Sequence, residues 1–521
     1  MNKKVITIGC LSLAILMGGT VFTSCSNDDE PAVVYPVEKD LAGNYLGNLK
    51  VNVGGETDYP NSKVTVSKGS ADNTISLGIK DFSFGSINIG DINLENLPLT
   101  QTGEGNYSFK GTPSVQVKGV STPVTTSGTI SSNKLTVNLN ITFGGKTVTV
   151  NFDGNKLTGS ESSEAKILTF TFDQSNADNS VVLIQPEIKD NTITFSVDEN
   201  ATDEQLKKLV PTITVSDGAV VTPANGVAQD FTQPVTYTVT AADGTQVKYT
   251  VTTNKNASAT SYDFEKWVAG VDGQEPDMTF YNPQGWTSSN AGAQFLKGMQ
   301  YASSYVVTED KTDAHNGSAV KIQTIDSKGG DMIITKVPRV TTGTLFLGNF
   351  LIDDLTNTLK STKFGIPYQF TDKYPVQLKG WYKYEAGKDY YTCKAPYLSN
   401  CHLATVDASQ KDKGNITVVL YETPAYDTEE WTDCLTGAEG DNNIKTSSRI
   451  AAIGTMDVED QASWKEFTLD IKFVNGKSFD ATKKYRLAIN CSSSYQGDKF
   501  WGAPGSTLWV DDFELIYQNV K

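Results

Sequence analysis

Apolar and polar residues alternate at period two over much of this chain, the signature of half-buried β-strands. The first set lies in residues 41–154. Stretches 45–53, 63–66, 135–141 and 147–152 each alternate, and turns such as Ser131-Ser132-Asn133 and Gly144-Gly145 join neighbours directly. About eight strands fit there, enough to close an up-and-down barrel and remove its edges. The barrel either holds an apolar ligand or is filled by its own side chains, and the filled interior is the expectation.

Residues 164–253 show a second pattern. Alternating runs at 167–172 and 193–197 precede a short helix over 202–209, capped by Thr202 and stopped by Pro211. Runs 234–240 and 247–252 form a hairpin around Asp243-Gly244. About seven strands in so short a segment read as a sandwich. Residues 261–521 alternate again, at 376–384, 416–421 and 507–510, but with long loops between, which suits one large jelly roll. The expected organisation is therefore a signal (1–24), a flexible acidic tether (25–38), a barrel (39–158), a sandwich (159–256) and a jelly-roll domain (257–521).

The first residues break the β pattern. Lys3 and Lys4 precede an apolar run over 5–17, too short to span a bilayer and suited to a secretory signal. It ends in Val21-Phe22-Thr23-Ser24-Cys25, which resembles a bacterial lipoprotein cleavage box. The following Ser26-Asn27-Asp28-Asp29-Glu30 resembles the export tag of Bacteroides surface lipoproteins. The resemblance implies lipidation at Cys25 and a surface-exposed outer-membrane lipoprotein, touching the membrane through its lipid alone. Several acyl chains, at roughly 0.8 kcal/mol per buried methylene, hold such an anchor firmly.

Composition sharpens the picture in two places. A formal net charge of −16 repels phosphate backbones and excludes nucleic acid as a partner. All seven tryptophans, all three arginines and both histidines fall in residues 261–521, so recognition chemistry is concentrated there. Cys393, Cys401, Cys434 and Cys491 lie there too. Outside the cytosol the Cys393/Cys401 spacing suits a disulfide closing a small loop, and buried free thiols are the competing reading.

Three resemblances follow. Residues 41–154, opening Leu41-Ala42-Gly43-Asn44-Tyr45-Leu46-Gly47, resemble the calycin-like barrel of Bacteroides lipoproteins. The second segment resembles the Ig-like modules of bacterial surface proteins. The third is similar to the putative carbohydrate metabolism domain. That similarity is carried by Asp263-Phe264-Glu265-Lys266-Trp267, Gly285-Trp286, the runs 364–368 and 378–384, and above all 492–494 with GDKFWGAPGSTLWVDDFEL at 497–515. It implies a galactose-binding-like jelly roll and a presumed role with sugars. The fold class expected is all-β, with barrel, Ig-like sandwich and jelly roll in series.

Sugars are held by aromatic faces flanked by hydrogen-bonding groups. Trp381 and Tyr384, in an aromatic run, are candidates, with Trp501 in a Gly-rich loop and Trp431 in an acidic one. Trp267, Trp464 and Trp509 read as core. Asp263 and Glu265 at the domain start, with Asp511 and Asp512 in its last strand, suggest a structural calcium if the terminal strands lie side by side. No other cofactor is required.

Catalysis has little support. Glu429/Glu430 and Asp353/Asp354 are the nominable carboxylate pairs, and adjacent residues on a strand face opposite ways. No Gly-x-Ser-x-Gly elbow, His-Glu-x-x-His helix or phosphate-binding loop occurs. His315, in Asp313-Ala314-His315-Asn316-Gly317, reads as a turn residue.

The expected function is glycan binding at the cell surface by the jelly roll. The alternatives are a structural or adhesive surface protein, fimbria-associated or bound to an outer-membrane complex, and, more remotely, a glycoside hydrolase. Protein partners are not legible. Trp501, Trp431 and Trp381 on one concave surface would favour the glycan; scattered or buried indoles would favour the interaction protein.

Overall fold

The computed structural model describes residues 33–520 except 85–86, 118–119, 144–145, 272–277 and 333–334. The signal, Cys25 and most of the tether lie outside the described residues, as does the Gly144-Gly145 turn. Among the described residues no helix is long and apolar enough to cross a membrane. The chain divides into two compact units, one built on its first 164 residues and the other holding nearly everything after them.

The first unit is a closed barrel. Antiparallel neighbours run in the order Asn106–Gly111, Ile87–Gly103, Thr74–Phe84, Glu56–Lys68, Gly43–Asn52, Lys146–Lys156, Lys134–Phe143 and Val120–Ile130. The last of these pairs back to the first, with Phe109 opposite Gly128, which closes the ring. Ser114–Val117 adds a short outlying strand. The alternation seen in the sequence sets the register: Tyr45, Leu49 and Val51 point inward with Val64, Leu77, Leu135 and Val150 into one apolar cluster. A single helical turn, Val37–Leu41, buries Val37 and Leu41 in that cluster, so the end of the expected tether is packed rather than free.

The second unit holds the Ig-like segment and the jelly roll. Thr202 caps the short helix Asp203–Leu206 by a reciprocal bond with Gln205, as the sequence suggests. Phe170, Phe172, Phe195, Phe231 and Tyr237 fill the Ig-like interior, edge to face except for the tilted Phe172–Phe195 pair. The strand Gln246–Tyr262 then runs without interruption past the boundary expected at residue 256. It pairs in parallel with Thr192–Asp198 and antiparallel with the last strand, Thr507–Asn519. One sheet therefore spans both segments.

The jelly roll packs that first sheet against a second. Around Thr507–Asn519 the first sheet adds Ala319–Gln323 on one side and Lys373–Glu385, followed by Gln461–Asp470, on the other. The second sheet centres on Lys484–Ser492, flanked by Thr344–Phe346 and Gly414–Thr423, with Ile450–Val458 beyond. Leu378, Tyr382, Leu508 and Val510 of the first sheet meet Ile416, Val418, Leu487 and Ile489 of the second in one core. The outer face of the second sheet has a smaller core of its own, in which Phe346, Phe364, Tyr421, Leu435 and Ala488 pack under the loops.

Candidate functional site

The outer face of the first sheet gathers three tryptophans. Along Lys373–Glu385, Leu378, Tyr382 and Tyr384 point into the core, which leaves Lys379, Trp381 and Lys383 on the other side. Tyr384 is therefore a core residue and not a sugar platform: it is 1% exposed and its hydroxyl donates to the Ser493 carbonyl at 3.0 Å. Trp381 is half-buried, with the His315 imidazole stacked on its ring at 4.0 Å and 14°. Trp509 faces Lys383 on one neighbouring strand and Lys321 on the other. Their ammonium groups lie 4.8 and 5.6 Å from its ring centroid, and Lys383 also approaches the Trp464 ring at 5.4 Å. Asp310 accepts from the Trp509 indole at 3.0 Å, and Asp313 pairs with Lys383. These aromatic faces are already clad by cations and an imidazole, each contact contributing about 0.5–1 kcal/mol.

The other two candidate indoles stand elsewhere. Trp431 lies against the Arg486 guanidinium, 5.1 Å from its ring centroid. Arg486 is fully buried and forms a bidentate pair with Asp433 at 2.8 Å, with further bonds to the Gly365 and Asp427 carbonyls. The acidic loop around Trp431 is wound on Asp427, which accepts from the Glu429, Glu430 and Thr432 amides. Trp501 donates its indole proton to the Cys393 carbonyl at 3.0 Å, packs edge-on to Tyr397 and lies under Lys499. Trp381, Trp431 and Trp501 have no neighbour in common among these contacts.

The terminal strands of the domain do lie side by side, and they bring the predicted carboxylates only partly together. Asp511, Asp512 and His315 place one ligand atom each within 4.8 Å of one another; Asp263 and Glu265 are outside that group. The oxygens of Asp511 are spent on protein donors: one accepts the His315 and Asn316 amides at 3.0 Å, the other the Asp512 amide at 2.9 Å. His315 Nδ1 meets Asp512 at 2.9 Å, and Glu265 accepts the Ser318 amide at the far end of the same turn. Burial pushes the Asp511 carboxyl up to about 6, with Asp512 adding to the shift. The four cysteines are free and buried, so Cys393 and Cys401 are not bonded to each other; each thiol sits within reach of backbone carbonyls. Of the nominable catalytic carboxylates, Asp353 and Asp354 are held by Lys363 and Lys360.

A cleft opens on the outer side of the second sheet. Its space, open mouth included, is about 1280 Å³. Phe295 on the helix Asn290–Gly298 forms one wall, Val337, Pro338 and Val340 a second, and Phe350, Ile352, Leu355 and Leu359 a third. Asn290 anchors the helix, accepting from the Val306 and Val307 amides and donating to the Val307 carbonyl. Asn415, Asn490, Ser492 and Ser494 make a polar floor. The floor's rim is the loop 494–506, tied to buried Asp412. That carboxylate accepts from Ser494, Ala503 and Ser506 at 2.6–2.7 Å and from the Lys413 amide at 2.9 Å. Burial pushes its pKa up against the pull of these donors.

Two groups at the cleft are unsatisfied. Asn490 is 8% exposed, and its Oδ1 has no hydrogen-bond partner; the Thr342 hydroxyl has none either. An unpaired buried acceptor costs about 1–3 kcal/mol, and these two are the unpaired groups among the described residues that line the cleft. The lining charges are already matched, Lys445 with Asp498 and Lys336 with Asp331. None of the sequence candidates lines this cleft. A signal existed: Asn490 interrupts the apolar run Leu487-Ala488-Ile489 on a strand buried on both faces.

Comparison with known proteins divides the chain in three. The calycin-like beta-barrel domain matches residues 41–155, SGBP, N-terminal matches residues 167–253, and the putative carbohydrate metabolism domain matches residues 261–516. Among solved structures, the chain is similar to a putative glycoside hydrolase from Bacteroides thetaiotaomicron VPI-5482. Identity is 30%, covering 70% of this chain and 99% of the other, with a TM-score of 0.40. A putative glycoside hydrolase from Bacteroides vulgatus ATCC 8482 is 26% identical over 49% of this chain and 97% of its own, TM-score 0.38. A putative outer membrane protein from Bacteroides fragilis NCTC 9343 is 26% identical over 23% and 53%, TM-score 0.21. No curated protein matches this sequence.

Proposed function

Residues 261–516 belong to the family of the putative carbohydrate metabolism domain, and from that premise we propose that the chain binds glycan at the cell surface through this domain. The observation that carries the reading is the cleft on the second sheet, lined by Asn490 and Thr342, whose Oδ1 and hydroxyl have no hydrogen-bond partner. Hydroxyl groups of a sugar supply the missing donors. The match to SGBP, N-terminal and the Cys25 box support a surface lipoprotein, with the lipid as its membrane contact. Asp498 is the one carboxylate among the described lining residues and is paired with Lys445, whereas glycoside hydrolysis needs two carboxyl groups across the bond. Binding is therefore the activity proposed.

A glycan array and pull-downs on insoluble polysaccharides test this, with Asn490→Ala as the control that removes the floor contact. Retention by at least one glycan, lost in the variant, is expected. Silence across both assays moves the function to the second reading, a structural or adhesive surface protein, which the dispersal of Trp381, Trp431 and Trp501 favours. Anchoring is tested separately: Cys25→Ser should abolish acyl labelling and release the protein from the membrane fraction.

A further inference from the structure

We propose that the cleft takes an amphipathic glycoside, a neutral sugar head carrying an apolar aglycone or acyl chain. This rests on the glycan reading above and narrows it. The floor and the walls of the cleft differ in chemistry. The floor holds an unpaired acceptor, Asn490 Oδ1, with the unpaired Thr342 hydroxyl nearby, and these call for ligand O–H donors. The walls are hydrocarbon. Phe295 and Ile352 are 38% and 41% exposed, and Phe350 and Leu355 continue the same surface.

A free sugar satisfies the floor and leaves those walls wet. A bare hydrocarbon covers the walls and leaves Asn490 Oδ1 without a donor. A ligand with both parts meets both demands. Its head is neutral because the lining charges are matched within the protein: Asp498 already holds Lys445 at 2.8 Å, and Lys336 pairs with Asp331. Among the described residues no tryptophan lines the cleft, so the stacking platform typical of long polysaccharide chains is replaced by aliphatic and phenyl surface suited to an aglycone.

Alkyl β-glycosides of gluco, galacto and manno configuration, from butyl to octyl and below their micelle thresholds, are the probes. Binding to the full chain is read by calorimetry beside the free sugars and octanol. At least one octyl glycoside should bind, with affinity rising about threefold to fourfold per added methylene until the walls are filled. Asn490→Ala should weaken that glycoside by about fivefold to tenfold and leave octanol unchanged. Ile352→Glu, at an exposed position that does not threaten folding, should flatten the dependence on chain length. Free sugars binding as well as their octyl glycosides would overturn the amphipathic class while the glycan reading stands. Octanol matching the glycosides, with no effect of Asn490→Ala, would overturn both. No binding by any alkyl glycoside would overturn the proposal and leave the array to decide the glycan reading alone.

Discussion

The two outer faces of the C-terminal sandwich differ in a way that residue type alone would misread. The first sheet shows Trp381, Trp464 and Trp509, the residues most often associated with sugar contact, but His315, Lys321 and Lys383 lie against their rings and Asp310 accepts a hydrogen bond from the Trp509 indole. The second sheet shows no tryptophan among the described residues of its cleft, yet Asn490 and Thr342 there have unmet hydrogen-bonding capacity beside open apolar walls. The first face is already clad by its own side chains, although the Trp464 indole N–H has no hydrogen-bond partner. The second face keeps open apolar walls around its unpaired polar groups. Open concave space, rather than aromatic content, separates the two faces.

The sharpest attack on the comparison is at Arg486. Asp433→Ala leaves a fully buried guanidinium without its carboxylate and should cost about 3–5 kcal/mol in urea unfolding, with a red shift of Trp431 emission. An unmoved midpoint would return Trp431 to the list of free platforms. Next is Trp381→Ala, expected to cost about 2 kcal/mol because half of a large ring and its His315 stack are lost, while octyl glycoside affinity stays constant. A fall in affinity would exchange the roles of the two faces. Lys383→Met should cost about 1 kcal/mol, removing an ammonium shared by two indoles and paired with Asp313.

Smaller effects test the loops. Chelator should leave the melting midpoint in place, because backbone amides already occupy the Asp511 oxygens; a drop would restore a cation at His315, Asp511 and Asp512. At Asp427 the bonds from Thr432, then those from the Glu429 and Glu430 amides, hold the carboxyl below the usual carboxylate range. A depressed folded value means that its stabilisation is complete above the unfolded value, near about 4, and drains as pH falls toward the folded one. Trp431 fluorescence should therefore change on acidification in the natural chain and lose that component in Asp427→Asn.

Much of the fold was legible because period-two alternation is a local property. It placed the barrel strands, and Tyr45, Leu49 and Val51 do share the barrel core. The capping of the short helix by Thr202 was equally local. The same rule, applied strictly, separates Trp381 from Tyr384, since positions three apart on a strand face opposite ways. Naming them as one site ignored it. The shared sheet was less visible: nothing between residues 246 and 262 announces that a strand serves two segments.

By itself, then, the sequence determined an all-β chain and where its strands alternate, placed its tryptophans in the last segment, and matched that segment to a carbohydrate-related family. Only the tertiary structure decided which polar groups were left without partners. Phe295, Thr342, Ile352 and Asn490 come from separate stretches of chain, and apart from Asn490 in its apolar run each is ordinary where it stands. Whether a buried amide is satisfied depends on what the rest of the molecule brings to it, and no local pattern records that sum.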